Sequence, residues 1–139
     1  MSEMSDYLEA QLLNVMFRTL SAWKPTDIYL LLATATIVDA DTGTTGITEP
    51  SGNGYVRKDS GGPLDAEWDA PSGGATANTN VQTFATAAGG NWGTITDMGI
   101  VDASTLGNLL FFTPVTTAKA VNDGDTAEYP AGSITVTLD

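Results

Sequence analysis

Apolar residues recur every four positions near the start of the chain, at Leu8, Leu12, Met16 and Leu20, and Leu13 and Phe17 widen the same face. That spacing predicts an amphipathic helix over 5–21. Ser5 stands where an N-cap belongs, Glu3, Asp6 and Glu9 place negative charge at the positive end of the helix dipole, and Arg18 lies near the other end. Pro25 prevents any continuation. The pattern then changes to a near-continuous apolar run, Ile28-Tyr29-Leu30-Leu31-Leu32-Ala33. A run of this length bounded by turn-forming residues reads as a central strand covered on both faces, with the N-terminal helix over one of them.

The C-terminal half reads as β throughout, with strands predicted from Val81 to Thr86, Trp92 to Val101, Asn108 to Val115 and Ser133 to Leu138. In the last of these Ile134, Val136 and Leu138 alternate with Ser133, Thr135 and Thr137, the period of a strand with one wet face. Turns at Asp102–Gly107 and Asn122–Asp125 separate the runs in the manner of hairpins. Between the two halves, 39–54 and 60–80 are rich in Thr, Gly, Ser, Asp and Pro and read as exposed connections. So much irregular chain in one domain points to segments that bind something or reach a neighbour. Short strands without a repeating helix predict a mainly β fold: one antiparallel β-sandwich over 1–139, jelly-roll-like, with one N-terminal α-helix.

Composition narrows the chemistry. The 139 residues include neither cysteine nor histidine, which removes Ser/His/Asp and Cys/His triads, the common zinc ligand sets and histidine acid–base steps. Seventeen acidic residues against five basic ones give a formal charge of −12. A nucleic acid or an anionic membrane would be repelled by such a surface. No apolar stretch reaches the ~18 residues of a membrane span, and the acidic start, Met1-Ser2-Glu3, lacks the basic region of a signal peptide. Synthesis in a cytoplasm is therefore expected.

Any catalyst of this composition would have to use carboxylates. Asp65, Glu67 and Asp69 around Trp68 would share one face of a strand, but a solvated acidic edge is the far better account of them. Asp39-Ala40-Asp41-Thr42-Gly43 opens like a calcium loop, yet Pro50 occupies the place of the bidentate glutamate. Asn122-Asp123-Gly124-Asp125 is a turn sequence before it is a metal sequence. No Gly-rich loop is followed by the lysine of a phosphate-binding loop. Neither an enzyme nor a cofactor is expected.

Several segments, taken in order, resemble a family of small tailed-bacteriophage virion proteins often labelled tail fibre proteins. They are Met4-Ser5-Asp6-Tyr7-Leu8-Glu9, Ile28-Tyr29-Leu30 after Pro25, Gly52-Asn53-Gly54-Tyr55-Val56-Arg57, Asn78-Thr79-Asn80, Trp92-Gly93-Thr94-Ile95-Thr96, Gly99-Ile100-Val101-Asp102, Gly107-Asn108-Leu109-Leu110-Phe111 and Ala131-Gly132-Ser133. One departure is Asp59-Ser60-Gly61-Gly62-Pro63, where a short β-like stretch is expected after Arg57. The resemblance implies a virion structural protein present in many copies. The leading expectation is a capsid decoration, or cement, protein: a homotrimer on the outer capsid surface that binds the major capsid protein and stabilises the shell. The alternative is a tail component, a tail fibre or a tail-tip adaptor that faces the receptor. Candidate partner contacts are Tyr7, Gln11 and Asn14, which lie off the apolar stripe of the helix, and Trp68, an aromatic anchor in a coil-like segment.

Overall fold

The apolar run after Pro25 becomes β2 (Tyr29–Ala33), an interior strand one place from the edge of a five-stranded sheet. A computed structural model describes residues 3–18, 23–62 and 66–138. Around β2 lie β1 (Glu3–Met4), β3 (Lys58–Asp59), β6 (Gly93–Val101) and β7 (Leu109–Val121), in the order β1-β7-β6-β2-β3 with every neighbouring pair antiparallel. The remaining strands pair two by two, β4 (Ala75–Ala77) with β9 (Thr135–Thr137) and β5 (Gln82–Thr86) with β8 (Thr126–Tyr129). The one helix, α1 (Asp6–Phe17), follows β1 directly. The architecture is thus a mainly β, antiparallel sandwich with a single helix.

Alternation along β2 explains why its sequence is apolar without a break. Leu30 and Leu32 enter the larger core with Met98, Ile100, Phe84, Trp92, Ile134 and Val136. Leu31 and Ala33 enter a second cluster with Val101, Leu109 and Phe112. Both faces are covered, as the sequence predicts. Cover on the second face comes from Ile37 and Ile47, in the connection that follows β2, and the helix contributes to the larger core, with Leu8 buried and Tyr7 at its border. Gly99 sits between Leu31 and Leu109, where a Cβ would come within 3.1 Å of both, so a larger residue would wedge the second cluster open.

Three features depart from expectation. The helix ends at Phe17 with Arg18 as its C-cap; Leu20 and the rest of the expected last turn lie outside the described residues. Lys58–Asp59 does form a short strand, on the edge beside Tyr29–Leu30, so the β-like stretch expected after Arg57 is present as two residues, the second of them Asp59. Third, β7 runs on to Val121, six residues past the expected end. It pairs along the nine residues of β6, a span of about 30 Å. Its thirteen residues fit that span because the pairing is irregular: Asp97 opposes Pro114 while Ile95 opposes Lys119, so residues 115–118 bulge out of the ladder before pairing resumes from Lys119 to Val121.

Candidate functional site

The two ends of β7 differ in chemistry, and the elements that produce each end can be traced to single residues. At the Leu109 end, Ser5 is completely buried. Its Oγ accepts from the Leu8 N–H at 3.3 Å, capping α1, and its hydroxyl donates to the Leu109 carbonyl. The Ser5 N–H donates to the Leu110 carbonyl at 3.0 Å, and the Asp6 N–H to the Asp39 carbonyl at 3.3 Å. The helix therefore starts at a fixed point on the sheet. Asp39 stands close to Asp6, and its carboxyl is raised above the usual value, first by partial desolvation and then by the Asp6 charge.

Beyond that anchored first turn the helix is bare. Leu8 is its only buried residue, while Leu12, Leu13, Met16 and Phe17 are 37%, 57%, 72% and 76% exposed. The apolar stripe seen in the sequence is real, but nothing among the described residues covers its second half. Val38 and Leu106 are exposed on neighbouring segments: Val38 precedes Asp39, and the loop of Leu106 begins at Asp102, whose charge reaches Tyr7. The expected contact residues sit differently. Tyr7 is half-buried and meets Trp23 edge-on at 5.7 Å. Gln11 and Asn14 are half-buried, and the Asn14 carbonyl accepts the capping N–H of Arg18. Trp68 is held against the larger core, with its indole N–H donating to the Ser60 carbonyl at 3.1 Å. Tyr7 and Trp68 both pack at the border of the larger core.

The loops of the middle region are tied down by a buried cation that sequence reasoning missed. Arg57, with a side chain 5% exposed, pairs with Glu49 at 2.6 Å. It also donates to the carbonyls of Ala103, Leu106 and Gly43 at 2.9, 2.7 and 2.8 Å. Tyr55 completes the cluster: its hydroxyl donates to Glu49 at 2.9 Å and accepts the Leu32 N–H at 2.9 Å. Burial pushes its phenol far above the ordinary range, so it stays protonated as a donor. Its ring meets Trp92 edge-on at 5.2 Å, and the Trp92 indole N–H donates to Asn53. Arg57 thus stitches the connection between β2 and β3 to the one between β6 and β7. The available signal was that Asn53, Tyr55, Arg57 and Trp92 all fall in segments that carry the family resemblance.

The other end of β7 is open. After the Asn122–Asp125 turn β8 pairs with β5 and not with β7, so the two strands diverge and leave a groove of about 680 Å³. Ile95, Met98, Val121 and Ile134 form its apolar floor; Thr116, Thr117, Asp125, Glu128 and Tyr129 stand among the residues around it, with Lys119 supplying a cation. Such a volume and mixed lining are those of a small-ligand site. Tyr129 packs edge-on against Phe84 at 6.1 Å, and burial raises its phenol.

The acidic segments weighed for catalysis or calcium make local hydrogen bonds. Asp41 accepts from the Val38 N–H and Asp125 from the Asn122 N–H, each at 2.9 Å. Glu67 accepts from Gln82 at 3.2 Å; Asp65 lies outside the described residues. Among the described residues no group of three acidic, histidine or cysteine side chains gathers to hold a metal, and no helix is long and apolar enough to cross a membrane.

Compared with known proteins, the chain is matched over residues 3–137 by the family model described as Podophage GP4 fiber I protein gp80. No curated protein matches it.

Proposed function

The chain belongs to the podophage GP4 fiber I family over nearly its whole length and is a structural component of a phage virion; from that premise we propose that it is a non-enzymatic subunit of a tail fibre, assembled from several copies of itself. The capsid-cement expectation, placed first from the sequence, gains no support from a family described as a fibre. The outer capsid surface and the major capsid protein, which belonged to that reading, are not proposed again, and the tail alternative takes their place.

The observation that carries this reading is the polarity of the molecule along β7. A helix with an uncovered apolar face is anchored at the Leu109 end, and an open groove with a polar surround lies at the Val121 end. A subunit that joins copies at one end and meets a foreign surface at the other needs this division. Three copies around one axis, the homotrimer expected from the sequence, would bring the helices together and point the grooves outward. No reactive group is required, because attachment is a matter of shape, burial and hydrogen bonding.

Immunogold labelling of intact particles with antibodies against the folded chain tests the placement. Gold on tails, with Fab fragments that slow adsorption to host cells, is the expected result. Gold spread evenly over capsids would return the protein to the shell and end the fibre reading.

A further inference from the structure

The bare stripe of α1 has a chemistry that selects its partner. Leu12, Leu13, Met16 and Phe17 leave on the order of 400 Å² of apolar surface in water, judged from their exposed fractions. That equals the largest patch an ordinary monomer carries and supplies about half of the ~800 Å² that one partner contributes to a stable interface. The twelve-residue helix is also too short to persist in water by its own propensity. Ser5 and Leu8 hold its first turn, while beyond it Gln11, Asn14 and Val15 are no more than half-buried.

Charge separates the candidate partners. The chain carries −12 overall, so two copies repel each other wherever carboxylates face carboxylates. From Ala10 to Phe17 the helix has no charged residue at all, its acids being confined to Asp6 and Glu9 in the first turns and its one base, Arg18, lying beyond the end. This is a surface on which strongly acidic copies can approach without setting like charges against each other. A basic foreign partner would instead be drawn to the acidic surface elsewhere. Residues at i, i+1, i+4 and i+5 also form a broad stripe that packs well against a second helix of the same kind.

We infer that the second half of α1 is the self-association face of this protein, the occupant of each stripe being the α1 helix of another copy. The inference rests on the fibre reading only in expecting several copies, and it relocates the contact from Tyr7, Gln11, Asn14 and Trp68 to Leu12, Leu13, Met16 and Phe17.

Sedimentation of the purified full chain tests it. The chain is expected to sediment as a species of two or more copies of its 14.4 kDa mass. The M16S/F17S double variant is expected to sediment as a monomer with its β-sheet circular dichroism retained, since both side chains already face water. Raising salt from about 50 to about 500 mM should leave association unchanged or strengthen it, because screening removes repulsion between acidic copies. A native chain that stays monomeric at about 100 μM, or a folded double variant that remains associated, overturns the inference. Should the double variant fail to fold, a single cysteine in this cysteine-free chain decides. Phe17→Cys is expected to cross-link copies through a short bis-maleimide while Thr83→Cys, on β5, does not; equal cross-linking from both positions overturns the proposal. Failure here leaves the labelling of particles untouched, and misplaced gold leaves the association measurable, so the two readings fail separately.

Discussion

Single residues in this protein do the work that a larger core does elsewhere. Arg57 is the clearest case, because its guanidinium joins Glu49 and the Gly43 carbonyl to two carbonyls of the β6–β7 connection. Arg57→Ala would leave a half-buried carboxylate and those carbonyls without this donor, and the expected loss is about 2–3 kcal/mol, read as a shift in the urea midpoint. Arg57→Lys should recover little of it, since one ammonium cannot reach the same spread of acceptors. Asn78 has a similar role at smaller scale: it is buried, it donates to the Asn80 and Pro130 carbonyls at 2.7 and 2.9 Å, and it accepts from Ile134 at 2.8 Å. Asp39 gives a dependence on pH. Its carboxyl is raised in the fold, so the fold holds that proton more tightly than the unfolded chain does, and the resulting stability is present below its ordinary value of 3.8 and lost as pH rises through the raised value. Asp39→Asn is therefore expected to match the native chain in urea unfolding at about pH 3.5 and to be slightly more stable at neutral pH, the gap staying small because the group is exposed to solvent screening.

Elements show how far periodicity reaches. β2, β5 and β6 were legible because apolar runs and alternation fix which residues meet the core. The outer half of β7, Thr116-Thr117-Ala118-Lys119-Ala120, is fully exposed and has no alternation to reveal it. β8, Thr-Ala-Glu-Tyr, is short and carries a charge, so no strand is predicted there from the sequence. The helix is the instructive case. Its stripe and its Ser5 cap were both legible, yet a stripe states only that a face must be covered, and the covering element is not encoded within the helix. Arg57 was invisible for the opposite reason, since a lone arginine in a glycine-rich segment reads as solvated until its five-donor fork finds acceptors distant in sequence. Ser5→Ala should cost about 1–2 kcal/mol, removing the cap and the bond to Leu109 together. A fall in helical circular dichroism that precedes sheet unfolding is expected, and unchanged stability would show that α1 is held by other contacts.

For the whole molecule, the family match settles what kind of protein this is, and the geometry indicates how it would be used. As a proposed fibre subunit the chain would gain length or valency from copies of itself, and the second half of α1 offers them a neutral apolar face in an acidic chain. Its groove runs beside β7 from Thr113 to Val121, beyond the residues where the helix is anchored. The sandwich, stabilised by the β2 core and the Arg57 stitch, would then set the helix and the groove apart. Quantitative mass spectrometry of purified particles split into head and tail fractions tests this account most directly. The account predicts that the chain follows the tail fraction at a small multiple of three copies per particle; recovery with the heads at on the order of hundreds of copies, as a symmetric shell would require, would contradict it.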